Sequence, residues 1–239
     1  MELNIILPFC LFTLFSLGFL AAFLVVRVKK GAGPLALLLK TCASIFFFGG
    51  ALYACYVNGL TLYNLFIVFG LFFALLGDIV LDLKIAYPEH NKLYTNSGIG
   101  SFSVSNVMFF VAIILLWNWL SRFMVFTIGS VVIALLFATV VLLLSPALKL
   151  DLKGYKVQVF VYSTLVALTA VLSLGISFFV PGFAIFAVGA ILILISDLIL
   201  SQTYFGNPKK PNLMIILNHI IYYLGELMIM AYIFFQLFA

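Results

Sequence analysis

The chain has 239 residues, of which 66% are hydrophobic and 8% charged, and it carries a net charge of +5 with a mean hydropathy of +1.33. That composition excludes a soluble globular domain and points to an all-α, polytopic membrane protein. The basic excess needs no nucleic-acid partner, because contact with anionic membrane lipid accounts for it.

Eight segments are long and apolar enough to cross ~30 Å of hydrocarbon: residues 3–28, 34–57, 62–83, 99–120, 122–145, 157–180, 182–204 and 211–238. The first has only Glu2 ahead of it, no basic n-region, and a run longer than a secretion signal's, so it reads as a retained helix. The second carries Lys40, the third Gly77-Asp78 and the fourth Asn106. The seventh carries Ser196-Asp197, and the eighth Asn218, His219, Tyr222, Tyr223 and Glu226. Prolines 34, 181 and 211 stand at segment starts. The longest loops, 84–98 and 146–156, are too short for a second domain, which predicts one eight-helix domain over residues 1–239. Cys10, Cys42 and Cys55 fall inside apolar helices and read as small buried hydrophobes.

Ten of the twelve basic residues lie in the four odd-numbered loops, whereas the opposite face has Arg122 alone. Positive loops stay cytoplasmic, so both termini are expected outside the cytoplasm, in an integral protein of a bacterial-type inner membrane. At 1.5 Å per residue, Asp78 is expected ~8 Å inside the cytoplasmic end, Lys40 and Asn218 ~9 Å, Asp197 and Asn106 ~10 Å, and Glu226 ~21 Å. A polar layer drawn from several helices predicts one cavity toward the cytoplasmic leaflet. Asp82 is expected at the solvated interface, and Glu89 and His90 on the surface.

An ionisable group in hydrocarbon costs roughly 2.5–3.5 kcal/mol on insertion scales, so Asp78 and Asp197 demand a partner or a function. Both approach the C-terminal ends of their helices, where the dipole disfavours an anion. Lys40 is the one buried cation for two aspartates and Glu226, which leaves at least one carboxyl neutral or hydrated. A protonated carboxyl beside an ionised one is the pairing that general acid/base catalysis uses. The same groups also fit a proton-coupled carrier. The Asp78 and Asp197 motifs lie 119 residues apart on helices of the same direction, which suggests a 4+4 parallel repeat.

Other chemistries fit less well. A zinc hydrolase needs about three converging His, Cys or carboxylate ligands, and His90 sits in a loop, so no metal or cofactor is expected. Leu75-Leu76-Gly77-Asp78 departs from the Gly-x-Gly-Asp of intramembrane aspartyl proteases.

Taken in order, Lys40, Gly77-Asp78, Phe102 to Asn106, Ser196-Asp197 and Tyr223 to Glu226 resemble the motifs of the YhhN family of lysoplasmalogenase-like membrane proteins. The departures are Asn106 where the family has His, Glu226 where it has Gln, and Thr41 where Pro is frequent. The resemblance implies hydrolysis of the vinyl-ether bond of a lysoplasmalogen to a fatty aldehyde and a glycerophospho-alcohol. In that reading Asp78 and Asp197 are the acid/base pair, the lysophospholipid is the partner, and Lys40, Asn106, Asn218, Tyr222, Tyr223 and Glu226 line the substrate site. Loss of the histidine points to an altered substrate or lost activity, and keeps a non-catalytic, lipid-binding or scaffold relative as an alternative.

Overall fold

The computed structural model describes residues 3–31, 33–117 and 123–236. Expectations that rest on Glu2 and Arg122, on the end of segment four, the start of segment five and the last residues of segment eight, lie outside the described residues. The described chain is all-helical, with eight helices long and apolar enough to span a membrane. They are α1 (Leu3–Lys30), α2 (Pro34–Asn58), α3 (Leu62–Ala86), α4 (Asn91–Trp117), α5 (Phe123–Leu144), α6 (Lys156–Ser177), α7 (Ala184–Phe205) and α8 (Pro211–Phe235).

The helix limits follow local chemistry. Pro34 and Pro211 open α2 and α8, where a missing N–H costs nothing. The Thr61 side chain accepts the Asn64 N–H at the start of α3, satisfying a donor that has no partner within the helix. Gly59, at a φ of 80°, ends α2 in a conformation that side chains resist. One expected limit is wrong: residues 91–98, read as loop because they are polar, form the first two turns of α4. Packing overrides their polarity there, since Gly98 lies so close to Leu81 of α3 that a Cβ would stand 2.4 Å from the Leu81 side chain.

α2, α3, α4, α6, α7 and α8 close a ring in which each packs on the next; α1 lies against α2 and α8, and α5 against α6. Small residues set the closest approaches, as in other membrane bundles. α7 and α8 meet backbone to backbone at Gly189 and Gly225, where a Cβ on either would lie 2.7–2.8 Å from the other's carbonyl oxygen. Away from the basic loops, Phe109, Phe183, Phe186 and Tyr232 stack into an aromatic cluster. At that end Gln236 bonds Tyr63 and exchanges two bonds with Asn64, tying α8 to α3. Exposed Leu, Ile, Val and Phe cover the outer faces, as hydrocarbon requires. Cys10 belongs to that outer surface and not to the core, while Cys55 is buried as expected.

Three helices of the first half and three of the second lie at positions offset by about 119 residues. Shifting α2 and α3 by 119 residues gives 153–177 and 181–205, against observed helical spans of Lys156–Ser177 and Pro181–Phe205. The same shift takes α4 to 210–236, against Pro211–Phe235, and brings Ser44 onto Ser163, Gly70 onto Gly189 and Asp78 onto Asp197.

Candidate functional site

The site is built where α2, α3, α6, α7 and α8 converge near the end that carries the basic loops. Lys40 comes from the second turn of α2 and is buried. Its Nζ lies 3.2 Å from Asp78 Oδ1 and 3.2 Å from Asp82 Oδ1. Asp78 and Asp82 are four residues apart on α3 and so share a face. Asp82 is therefore not the solvated interfacial residue the sequence suggests: it is 8% exposed and shares the lysine with Asp78. Depth along the helix pointed to the interface, and helix rotation turned the side chain inward.

Asp78 collects further donors. Ser44 Oγ donates to its Oδ2 at 2.6 Å and Tyr222 Oη to the same oxygen at 3.2 Å. Behind them Tyr223 Oη lies 2.7 Å from Ser44 Oγ and 3.1 Å from the Lys40 carbonyl, one proton serving both. A buried carboxylate needs such compensation. Asp78 thus ties α3 to two other helices, α2 and α8, and is 2% exposed.

Asp197 stands in different surroundings. It is half-buried and accepts a bond from Tyr162 Oη of α6 at 2.5 Å. Among the described residues no cation is within ion-pair distance of it. The two aspartates nevertheless line one cavity of about 20 Å³, together with Lys40, Phe102, Asn218 and Tyr222. That volume admits one water molecule.

Two larger spaces adjoin this kernel. An apolar cavity of about 80 Å³ lies among α4, α5, α6 and α7, lined by Ile99, Phe137, Val141, Val159, Val166 and Leu194, with Asp197 in its wall. Leu198, in its wall, is 43% exposed. A polar space of about 420 Å³ opens at the basic-loop end, lined by Arg27, Asp82, Lys84, Asn207 and His219. Leu200 and Tyr204, one helical turn apart, border all three spaces. The apolar cavity has a counterpart by register: Val159 and Ser201, in its wall, are the positions that match Lys40 and Asp82.

The remaining expected residues divide. Asn218 lines the kernel and donates to the Ser196 carbonyl at 2.8 Å. Asn106 turns back on its own helix, donating to the Phe102 carbonyl at 3.0 Å, and does not line that cavity. Tyr223 is fully buried behind Ser44. Glu226 is 1% exposed, and among the described residues its Oε2 has no hydrogen-bond partner. Lys40 does not reach toward the headgroups, because its two carboxylates hold it inward. Ser44, Tyr162 and Tyr204 belong to the site without any mark in the sequence, because uncharged hydroxyls in apolar helices give no distinctive signal. Among the described residues no cluster of three or more His, Cys, Asp or Glu is arranged to hold a metal ion.

Comparison with known proteins gives one match: the model of the YhhN family fits residues 35–233. No curated protein matches, and no solved structure matches.

Proposed function

The chain belongs to the YhhN family, and from that premise we propose that it is a membrane hydrolase cleaving the vinyl-ether bond of lysoplasmalogens. The observation that carries the reading is the shared kernel, with two carboxyls in unlike surroundings around a space for one water.

Asp197 serves as the acid. Among the described residues it accepts one side-chain hydrogen bond, from Tyr162, and it lines the apolar cavity that would receive the alkenyl chain. Its proton goes to the vinyl carbon beta to the ether oxygen, and the double-bond electrons form the new C–H bond. The positive charge left behind is shared between the alpha carbon and oxygen. Asp78, held by Lys40, Ser44 and Tyr222, supplies fixed negative charge next to that oxocarbenium ion. The kernel water then adds to the alpha carbon and gives a proton to a carboxylate, as in glycoside cleavage. The hemiacetal collapses with proton transfer to the leaving oxygen. The products are a fatty aldehyde and glycerophosphoethanolamine or glycerophosphocholine, one water having been consumed. The lipid approaches from the side, past Leu198, with the basic-loop end facing the cytoplasm.

Purified protein is expected to release aldehyde from a lysoplasmalogen. Asp197→Asn should lower the rate by at least about 100-fold, the usual scale of a lost general acid, with its helical content and unfolding midpoint unchanged. Wild-type protein that releases no aldehyde, yet moves protons across liposome membranes, would replace this reading with the carrier.

A further inference from the structure

Excluding Lys40, which is inside the ion cluster, the described basic side chains divide sharply. Lys29, Lys30, Lys92, Lys149, Lys153, Lys156, Lys209 and Lys210 are exposed, as expected of residues that mark one membrane face. Arg27 at the end of α1 and Lys84 at the end of α3 are half-buried, and both line the polar space at the bundle mouth. Among the described residues neither forms a salt bridge, since the carboxylate that shares the space, Asp82, is paired with Lys40. The Lys84 ammonium lies 4.2 Å from the centroid of the Tyr204 ring, which holds it at the wall without cancelling its charge.

Withdrawing two cations from water beside a cavity is unfavourable unless an anion joins them. The N-terminus of α8 adds to the same field. Pro211 lines the space, the helix has no side-chain cap, and its first N–H groups have no partner within the helix. A guanidinium and an ammonium together suit a tetrahedral oxyanion, the first as a planar fork and the second as a point charge. The space continues into the catalytic kernel through Leu200, Tyr204 and His219. We propose that Arg27 and Lys84 form a phosphate-binding subsite that takes the headgroup phosphodiester of the lipid whose ether bond lies in the kernel. This rests on the hydrolase reading for the identity of the lipid. Arg27 precedes the residues matched by the family model, so this half of the subsite comes from outside that match.

The test is equilibrium binding to the full-length protein in detergent micelles. The probes are a saturated 1-O-alkyl lysophospholipid, which has no vinyl ether to cleave, and the 1-O-alkylglycerol of the same chain length. Wild-type protein is expected to prefer the phospholipid by about tenfold or more, the scale of one or two charge-assisted hydrogen bonds. Arg27→Gln and Lys84→Gln should each remove about three- to tenfold of that preference, the double variant nearly all of it. Lys29→Gln with Lys30→Gln, both exposed, should leave it intact. Inorganic phosphate and glycerophosphocholine are added as competitors. Displacement by glycerophosphocholine alone assigns the subsite to the headgroup, whereas equal displacement by inorganic phosphate assigns it to free phosphate. Equal affinity of wild type for the two lipids, or a preference that survives the double variant, overturns the proposal. Because no probe is hydrolysed, a failed aldehyde assay refutes the reaction and leaves this measurement standing on its own.

Discussion

Lys40→Met is the most informative single change, because one buried ammonium answers two buried carboxylates. Each Nζ–Oδ1 separation is 3.2 Å, which at an effective dielectric of 20 corresponds to roughly 5 kcal/mol of attraction per pair before the cost of leaving water is set against it. Breaking a buried pair by removing one partner costs roughly 3–5 kcal/mol, since the remaining charge has no compensation. Here two charges are left, so the loss should fall at the upper end of that range. Methionine keeps the length and apolar volume of the lysine stem, so packing contributes little to the change. Unfolding in mixed SDS micelles, followed by far-ultraviolet circular dichroism, measures it. The control is Lys40→Met combined with Asp78→Asn and Asp82→Asn, which removes all three charges and should recover most of the lost stability without restoring activity. A single variant within about 1 kcal/mol of wild type, or a triple variant no more stable than the single, would refute the view that Lys40 compensates two buried carboxylates.

The other expectations concern neighbouring features. Asp78→Asn should fold normally because Asp82 still pairs with Lys40, and should abolish aldehyde release; an unfolded variant would show that the cluster needs both carboxylates. Val159→Phe places a ring in the apolar cavity and should lower kcat/KM for long-chain substrates by roughly tenfold, the equivalent of about two buried methylenes, mainly through KM; steady-state kinetics over a chain-length series checks it. Gly225→Ala sets a Cβ 2.8 Å from the Gly189 carbonyl oxygen and should cost about 1–3 kcal/mol in micellar unfolding, whereas Gly100→Ala, with open space around it, should cost nothing. Glu226→Gln exchanges a buried carboxyl with an unpartnered oxygen for a neutral isostere, and should leave stability within about 1 kcal/mol and aldehyde release nearly unchanged; a hundredfold fall would make Glu226 a reacting group.

The eight helices were legible because hydrocarbon imposes length and apolarity on every span. Asp78 and Asp197 were legible for the same reason inverted, as charges where charge is costly. What a count along the chain does not supply is rotation about each helix axis. Asp82 was placed by depth alone and assigned to the interface, although its position four residues after Asp78 puts it on the same face. Asn106 has the right depth and the wrong direction, its amide turned back to the Phe102 carbonyl. Ser44 and Tyr162, which bond the two carboxyls, look like any other hydroxyls in an apolar helix. The first turns of α4 were hidden because the polar run from Asn91 to Gly98 owes its helicity to contact with α3, a tertiary effect absent from local propensity.

On the hydrolase reading proposed above, the 119-residue offset between the halves bears on how many tails the site would accept. A lipid with two chains needs two hydrocarbon spaces at one depth, on either side of its glycerol. The second half provides one such space beside Asp197. In the first half the matching positions are Lys40 and Asp82, locked together with Asp78, and a second chain there would have to displace a salt-bridged cluster. On the hydrolase reading, that cluster leaves room for one chain only, and diacyl and alkenyl-acyl lipids are expected to bind poorly in a competition assay.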